Sequence, residues 1–363
     1  MQRTLIQKTT FLVLTFLLLP FLAFSETKPV KIDKYQINKK PKIKYYYGSG
    51  LTFKKTSNYG PLYFYLVPSG DFIVTDGKDK RKNENIPHFA LLKINPKKKT
   101  STIEQRFPLF LQDNARLKVD LEAIATDKNK NLWIAEEKNN YLLKVSSETG
   151  QIKEILKPNK ELPKSLKKAT PDRGLESVSV APNGKVYTAL QSPIKEDEKI
   201  EEFIRLIEYN PKRKESKEYF IPIELHDYLT YLDVKIGDMQ VVDNNRLLIV
   251  EHGDGLNIYH NKIYLINLKN TKNNFVKKEL FLDLNTIGWK YKKTEGLTLI
   301  NSNTIAIMND VSNDYNKTHL WIVELNQSLF TWSWKEWTIF VIVGSIFIFG
   351  SLISVLILFR KSK

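Results

Sequence analysis

The sequence predicts an all-β protein, a β-propeller of about six four-stranded blades within a range of five to seven. Three observations support this fold class. The 363 residues include 17 Tyr and 19 Phe, and aromatic residues favour strands over helices. Segments that alternate apolar and polar residues around a short polar turn recur along the chain. Successive opening acids of these segments are 54, 62 and 57 residues apart, somewhat more than one propeller blade needs.

Each repeat opens with a segment that we expect to form a β-hairpin. Four segments align well and a fifth aligns weakly. The four strong segments are 121–150, 175–193, 237–255 and 294–314, and the weak one is 62–80. Their turns are rich in Asn, Asp, Pro and Gly, which is typical of hairpins. In the weak segment the predicted turn is Pro68–Gly70.

A third strand and a fourth β-prone stretch follow the hairpins. The third strands read HFALLKINP (88–96), NYLLKVSSETG (140–150), RLIEYNPKRKE (205–215), KIYLINLKN (262–270) and HLWIVELN (319–326). A hairpin and two further strands make one blade, and radial repetition of blades leaves few exposed edges. We therefore place the propeller domain at 59–330. Residues 26–58 form an N-terminal segment, which we expect either to complete a further blade or to supply a strand that closes the propeller.

The first 25 residues are typical of a secretory signal peptide. The basic residues Arg3 and Lys8 precede the apolar run Phe11–Phe24. The small residues Ala23 and Ser25 come just before the expected cleavage site. An uncleaved anchor helix is the alternative, although the apolar run is short for crossing a bilayer.

The other end of the chain predicts a transmembrane helix. Thr338–Phe359 has 22 residues without a charge, and at about 1.5 Å per residue these cross a bilayer core. Trp332, Trp334 and Trp337 precede it as an interfacial belt, and the basic tail 360–363 follows as a cytoplasmic flank. We expect a single-pass membrane protein whose N-terminal domain lies outside the cytoplasm, on the periplasmic or extracellular side.

The composition limits the chemistry and the partners. Cysteine is absent, which excludes disulfides, thiolate nucleophiles and Cys-based metal sites. The formal net charge is +16, and five of the basic residues lie in the two end segments, which leaves +11 for residues 26–337. The excess lies in runs at 78–82, 97–99 and 211–217. Solvated loop tips are the simplest interpretation, and attraction to anionic lipid or a phosphorylated ligand is the alternative. No basic stripe interleaved with aromatics indicates a nucleic-acid partner.

An acidic residue opens each strong hairpin at one register. These residues are Glu122, Glu176, Asp238 and Glu295. Polar residues recur 13 to 15 positions later, where the second strand ends, and these are Glu136, Gln191, Glu251 and Asp310, with Asp76 in the weak segment. Because the innermost strand of a blade lines the central channel, the first set predicts a ring of carboxylates at one channel mouth.

Carboxylates within about 6 Å of each other cannot all ionise without a neutralising group. Oxygen ligands without Cys and with few His suit Ca²⁺ or Mg²⁺ better than zinc. The alternative is structural, because an acid at a strand start also caps backbone amides or pairs with a cation. Arg173 lies three residues before Glu176 and is a candidate partner for it.

Other catalytic motifs are missing from the sequence. It has no nucleophile elbow, no P-loop, no dinucleotide fingerprint and no H-E-x-x-H zinc motif. A Ser-His-Asp triad stays open, because its members need not be adjacent in sequence. His252 lies in EHGDG beside Glu251, and we name His252 and Asp254 as candidate catalytic acid and base. A structural role for a histidine in a turn is the alternative.

The same segments resemble the family called esterase-like activity of phytase, or phytase-like domain proteins. Its motifs are matched by DLEAIA with NLWIAEE, by RGLESVSVAPNGKVYTALQSP, by IGDM with RLLIVEHGDG, and by TEGLTL with IAIMNDVSND. The weaker first repeat matches through FIVTDGKD and HFALLKI. The resemblance covers roughly 59–326 and is strongest over 120–194.

The resemblance implies a propeller similar to alkaline phytase, with Ca²⁺ binding phosphate and activating water. It implies channel-side positions for Gln191 and for seven metal-ligand candidates, which are Glu122, Glu136, Glu176, Asp238, Glu251, Glu295 and Asp310. Three departures stand out. The first repeat reads PLYF instead of the family pattern, His252 replaces an arginine, and the family's N-D-N-D is interrupted as NDVSND.

Two classes of function follow from these patterns. The first is a Ca²⁺-assisted hydrolase acting on a small anionic or ester substrate, a phosphoester or another ester. The second is a non-catalytic ligand- or protein-binding propeller tethered to the membrane. A lactonase-type propeller is a third reading, which shares the carboxylates and the Ca²⁺ and which only a lactone assay separates from the first.

Overall fold

The computed structural model gives an all-β protein. It describes residues 27–37, 46–56, 60–68, 70–74, 86–112, 116–195, 203–223, 233–254, 259–311 and 317–330. Twenty-one strands lie in these ranges, with 3₁₀ turns at Lys164–Lys168 and Leu284–Ile287 and no α-helix. The predicted signal peptide 1–25, span 338–359 and tail 360–363 lie outside them. Within the ranges, no helix has the length and apolar character needed to cross a membrane.

The strands form antiparallel sheets that follow chain order from an inner strand to an outer one. The first sheet contains β2 (Tyr47–Thr56), β3 (Leu62–Pro68), β5 (His88–Asn95) and β6 (Thr100–Pro108). The second contains β7 (Leu117–Thr126), β8 (Asn131–Glu136), β9 (Tyr141–Ser146) and β10 (Ile152–Leu156), with β4 (Asp71–Val74) on the other edge of β7. The predicted third strands β5 and β9 are confirmed.

The remaining strands continue the pattern. The third sheet contains β11 (Leu175–Val180), β12 (Val186–Leu190), β13 (Phe203–Asn210) and β14 (Glu215–Pro222). The fourth contains β15 (Lys235–Val241), β16 (Arg246–Asp254), β17 (Tyr259–Lys272) and β18 (Phe275–Asp283). The fifth contains β19 (Thr294–Asn301), β20 (Thr304–Asn309), β21 (Thr318–Leu325) and β1 (Pro29–Ile37). One parallel bridge between Phe220 and Phe275 joins the third and fourth sheets into eight strands.

The fifth sheet takes its outermost strand from the start of the chain. β1 pairs antiparallel with β21, from Pro29 opposite Leu325 to Ile37 opposite Thr318. This pairing ties the two ends of the strand-bearing unit, which extends to Gln327, to one another. A second unit begins at Ser328, and only Ser328–Phe330 of it are described. The sheets thus include strands ahead of residue 59, where we predicted the domain to begin.

The first strand of each sheet lies on the inside of the unit. Each packs against the next in the closed order β2, β7, β11, β15, β19 and back to β2. A Cβ on Gly50 of β2 would clash with Ala123 of β7, and one on Gly237 of β15 with Thr294 of β19. Corresponding parts of neighbouring strands therefore lie side by side, and the inner strands run in one direction. The described ranges contribute five such sheets, against the predicted five to seven.

The predicted hairpin at 62–80 is wrong. β3 pairs with β2 and β5, whereas β4 pairs with the first half of β7, from Asp71 opposite Asp120 to Val74 opposite Leu117. The chain turns away at Gly70, whose φ of +126° favours glycine. The first half of β7, residues 117–120, does not pair with β8. It pairs with β4 instead, along the opposite edge of β7. Asp76 lies outside the described residues.

Buried side chains fill the spaces between neighbouring sheets. The largest cluster runs from β7 to β18 and includes the fully buried Trp133 and Tyr187. A second cluster joins the first two sheets, and a third joins the first and fifth sheets around Leu51 and Met308. This packing holds the inner strands at fixed spacing and so positions the side chains that point to the centre.

Candidate functional site

Three of the predicted acids sit on β-bulges where the inner strands begin to pair with the second strands of their sheets. Leu121 pairs with Glu136 and Ala123 with Ala135, so Glu122 is skipped in the ladder of β7 and β8. The register shifts in the same way around Glu176 in β11 and around Glu295 in β19. A bulge bends a strand and re-aims the extra residue, which explains why these side chains leave the regular alternation. We call the end of the unit where the inner strands begin the carboxylate end.

The three bulges bring their carboxylates together. Glu122, Glu176 and Glu295 each offer one oxygen, and these oxygens lie within 4.8 Å of one another. The residues are 8%, 1% and 2% exposed. We call them the carboxylate cluster. The predicted grouping of carboxylates from different hairpins is thus present for three of the four opening acids.

Burial without enough positive charge raises the pKa of each cluster carboxyl. For Glu122 the main cause is burial, followed by the charge of Glu176. The pKa of Glu176 rises through burial and the charge of Glu295, and that of Glu295 rises to about 8, mainly through burial. Oε2 of Glu176 finds no hydrogen-bond partner among the described residues. Bound protons or a cation must therefore neutralise part of the negative charge of the cluster.

Lys293 places an ammonium beside the cluster. Its Nζ lies 3.8 Å from Oε1 of Glu295 and 3.7 Å from Oδ2 of Asp310. Its side chain is 47% exposed, so it reaches the cluster from the solvent side. The charges of Glu295 and Asp310 raise the pKa of Lys293, which stays protonated. One ammonium leaves the group of carboxylates with excess negative charge. Sequence patterns missed Lys293, although it lies two residues before Glu295.

Glu176 has a second neighbour that the sequence identified only as a strand-end residue. The side chain of Gln191 hydrogen-bonds Glu176. Arg173 does not pair with Glu176 directly, because its Nη1 donates to Oε1 of Gln191 at 3.2 Å and its Nη2 to Oδ2 of Asp233 at 3.0 Å. The proposed Arg173–Glu176 ion pair is therefore replaced by a relay through Gln191.

Asp238 occupies a different register from the other opening acids. In β15 the ladder skips Gly237, since Ile236 pairs with Glu251 and Asp238 with Val250. Asp238 therefore follows the bulge instead of forming it. Its Oδ2 accepts from the backbone N–H of Leu297 at 2.7 Å and its Oδ1 from that of Met239 at 2.8 Å. The bond from Leu297 joins β15 to β19, and Asp238 is not among the three acids whose oxygens lie within 4.8 Å of one another.

Two strand-end acids also have structural partners. Oε1 of Glu136 accepts from the N–H of Asp120, and Oε2 from that of Asn139. Oε1 of Glu251 lies 2.5 Å from Nζ of the buried Lys278. The other oxygen of Glu251 lies 3.5 Å from Nε2 of His260. Neither Glu136 nor Glu251 reaches the cluster, so the structure does not group them with the predicted metal ligands.

Asp310 and His252 border the cluster. Asp310 shares a side-chain hydrogen bond with Glu295, and Gly48 of β2 leaves room for it because a Cβ there would clash with its carboxylate. Nε2 of the buried His252 lies 3.8 Å from Oε1 of Glu295 and has no hydrogen-bond partner among the described residues. Burial lowers the pKa of His252 to about 3, so its ring is neutral. Asp254 ends β16, and its side chain lies outside what is described.

A second group of acids adjoins the cluster. Asp120, Glu122 and Glu137 also offer oxygens within 4.8 Å of one another. Burial raises the pKa of Glu137 to about 7, although its Oε1 accepts the N–H of Gly174 at 3.1 Å. The acidic pair Glu136–Glu137 marks this place in the sequence, but only the first of the two entered the predicted set.

The geometry suits a hard cation. Ca²⁺ prefers several carboxylate and carbonyl oxygens, and the cluster offers oxygens alone within reach of one another. The nearby ammonium of Lys293 adds a group that attracts an anion to the same mouth. Cation binding and anion binding at the carboxylate end are both within the chemistry of these side chains.

Comparison with known proteins identifies a family. The sequence model of the family described as Phytase-like, esterase-like activity of phytase, matches residues 69–314. No curated protein sequence matches the chain.

Solved structures give only distant likenesses. Arabinanase Arb43A from Bacillus subtilis is 13% identical with a TM-score of 0.41, over 76% of this chain and 93% of that one. Virginiamycin B lyase from Staphylococcus aureus is 11% identical with a TM-score of 0.35, over 82% and 99%. Hydrazine synthase from Kuenenia stuttgartiensis is 11% identical with a TM-score of 0.35, and the match spans 74% of this chain but only 57% of that one.

Proposed function

Given that the chain belongs to the family described as Phytase-like, esterase-like activity of phytase, we propose that it is a Ca²⁺-dependent hydrolase of phosphoesters or other esters. The observation that carries the proposal is the meeting of three buried carboxylates from three inner strands beside Lys293. We propose further that the domain is a five-bladed propeller tethered to a membrane, with its body outside the cytoplasm.

The side chains at the carboxylate end fit a bound Ca²⁺. Glu122, Glu176 and Glu295 would hold it through oxygen, and Oε2 of Glu176 is a buried acceptor without a hydrogen-bond partner among the described residues. Bound there, the ion supplies Lewis-acid polarisation of an ester or phosphoryl oxygen and lowers the pKa of a water. The ion also removes the repulsion that keeps these carboxyls protonated.

The surrounding residues have distinct roles in this proposal. Lys293 holds the anionic group of a substrate, because its ammonium lies beside the cluster on the solvent side. The neutral ring of His252 faces Glu295, and its Nε2 has no hydrogen-bond partner among the described residues. We keep His252 with Asp254 as the acid and base candidates. Gln191 orients Glu176, and Arg173 orients Gln191.

The tether rests on the two end segments. The secretory signal at 1–25 directs the body across a membrane, and 338–359 holds it there as a single span. The substrate would then be a small anionic or ester compound met outside the cytoplasm. The exported topology also removes nucleic acid from the set of partners.

An assay of the full chain in detergent tests the catalytic part. We expect turnover of a chromogenic phosphate ester or acyl ester that Ca²⁺ supports and a chelator abolishes. Glu176→Gln removes one cluster carboxylate and is expected to lower turnover at least tenfold, whereas Glu208→Gln, which alters a buried acid bonded to Tyr187, is expected to retain it. A folded protein that turns over no ester across a panel of divalent ions would overturn the hydrolase proposal.

The burial of the cluster favours a second candidate. With its three carboxylates at most 8% exposed, the cluster offers little surface to a substrate. A structural ion at this position would join three of the inner strands, β7, β11 and β19, in a non-catalytic, ligand- or protein-binding propeller. In that case Ca²⁺ raises the melting temperature and Glu176→Gln abolishes the rise, but no ester is hydrolysed.

A further inference from the structure

The turns at the opposite end of the sheets form one surface. In each antiparallel sheet, the turn between the first and second strands and the turn between the third and fourth lie at the same end. The inner strands run in one direction, so this end is shared by the five sheets. The N–H of Asn183 donates to Oδ1 of Asn244 at 3.0 Å and links two neighbouring turns there. We call this surface the turn end.

Exposed cations outnumber exposed acids at the turn end. Its exposed cations are Lys97, Lys98, Lys99, Lys128, Lys130, Lys212, Arg213, Lys214, Lys269 and Lys272. The turns at this end also contain the acids Asp127, Glu148, Glu215 and Asp243, and Asp243 pairs with Arg246. The carboxylate of Asp127 hydrogen-bonds within its own turn, where its Oδ1 accepts from the N–H groups of Asn129 and Asn131.

The carboxylate end also has exposed cations, among them Lys164, Lys167 and Lys168, but acids are interspersed with the cations there. Lys293 lies between Glu295 and Asp310. Asp233 lies 3.0 Å from Arg173 and 3.1 Å from Lys235. Acids therefore offset more of the positive charge at the carboxylate end than at the turn end.

Both ends of the strand-bearing unit are also at the turn end. β21 runs towards it and β1 runs away from it, with Pro29 opposite Leu325. The N–H of Lys28 donates to Oδ1 of Asn326, and the N–H of Asn326 donates to the carbonyl of Lys28. From Gln327 the chain has ten residues before the predicted span at Thr338, which reach at most about 36 Å when extended.

We propose that the turn end lies on a bilayer and binds anionic lipid headgroups. The described chain leaves the strand-bearing unit at this surface, and the ten residues before the predicted span limit how far the lysines can lie from a bilayer. Lys and Arg near an anionic leaflet are attracted over about one Debye length, roughly 10 Å at 0.1 M salt. In this orientation the carboxylate end faces away from the membrane, towards the surrounding water. The inference rests on the proposed membrane tether and does not depend on whether the cluster is catalytic.

The absence of native cysteine allows a direct test on the full chain. Asn129→Cys places a fluorescent donor on the turn end, and Asn285→Cys places one in the 3₁₀ turn at the carboxylate end. Each labelled protein is reconstituted into phosphatidylcholine vesicles, with and without phosphatidylglycerol. Energy transfer to a headgroup-labelled acceptor lipid is then measured at about 0.1 M and about 1 M salt, where the Debye length falls to about 3 Å.

We expect anionic lipid to raise transfer from Asn129→Cys by about twofold or more and 1 M salt to reverse the rise. Transfer from Asn285→Cys should stay low throughout. Lys212→Gln, Arg213→Gln and Lys214→Gln together should remove most of the rise. Lys164→Gln, Lys167→Gln and Lys168→Gln, which change the charge equally at the other end, should leave it intact. Equal transfer from both sites, or equal loss in both triple variants, would overturn the proposal.

Discussion

The buried carboxylate cluster and the exposed lysines of the turn end carry opposite charge imbalances in different environments. At the carboxylate end, three acids with one nearby ammonium are at most 8% exposed. At the turn end, ten exposed cations face solvent. Two charges about 4 Å apart interact by about 1 kcal/mol in water and by several times more in a partly buried site. Buried imbalance therefore creates a local demand for a bound ion, whereas exposed imbalance creates a long-range attraction that salt weakens.

Removing a buried partner at the carboxylate end should have the largest effect on stability. Lys278→Ala leaves Glu251 buried without its ammonium, and we expect a loss of about 3–5 kcal/mol in the free energy of unfolding. Urea unfolding in detergent measures it. The double variant Lys278→Met with Glu251→Leu removes both charges and should recover most of the loss. A small effect of Lys278→Ala would instead return Glu251 to the metal-ligand candidates.

Acid should weaken the fold through a buried histidine beside the start of β2. Nδ1 of His88 donates to the carbonyl of Ile86 and its Nε2 accepts from the hydroxyl of Tyr47. Burial lowers the pKa of His88 to about 4. Because this value lies below that of the unfolded chain, the stabilisation is complete above about pH 6.5 and is lost as the pH falls towards 4, on the order of 3 kcal/mol.

Unfolding experiments at pH 7 and pH 4.5 isolate this contribution. Buried carboxyls with raised pKa values act in the opposite direction, so the comparison is between wild type and His88→Gln. The variant should lose less stability on acidification than the wild type does. Identical slopes in the two proteins would show that His88 does not titrate with unfolding.

A variant of Asp238 tests whether this acid at the carboxylate end stabilises the fold or binds the cation. Asp238→Ala leaves the N–H groups of Leu297 and Met239 without their acceptor and should cost about 2 kcal/mol. The Ca²⁺-dependent rise in melting temperature should persist in this variant. Loss of that rise would place Asp238 among the ligands and contradict the register assigned to β15.

At the turn end the corresponding substitutions should have little effect on stability. Lys212→Gln, Arg213→Gln and Lys214→Gln alter exposed side chains of one turn, and we expect each to change the free energy of unfolding by less than about 0.5 kcal/mol. Thermal melting in detergent measures this. A large loss would mean that these cations stabilise the fold, and the difference between the two ends would then disappear.

Much of the fold could be predicted because its period is local. Polar turns and alternating strands identified the hairpins from Glu122, Glu176 and Glu295 onward, and the third strands of all five sheets lie where they were predicted. The pairing of β4 with β7 could not be predicted, since a strand of four residues has no pattern that selects its partner. The closing role of β1 was one of two alternatives for the lead segment.

The candidate site was predicted in part, and the bulges explain the limit. A bulge adds one residue to a strand without changing the composition around it, so Asp238 seemed equivalent to the other acids although Gly237 holds their position. The spacing of residues along the sequence also could not predict which cations from other parts of the fold contact these acids. Lys278 reaches Glu251 from another strand, and Lys293 reaches the cluster through the end of a loop.

The most direct test of the cation site is thermal melting of the full chain, stripped with a chelator and then titrated with Ca²⁺. Selective binding to the folded state should stabilise it by about 2.7 kcal/mol at a hundredfold excess over Kd. The account predicts this rise for the wild type and for Asp238→Ala, and its loss in Glu176→Gln. No rise in the wild type, or an equal rise in Glu176→Gln, would contradict a cation held by Glu122, Glu176 and Glu295.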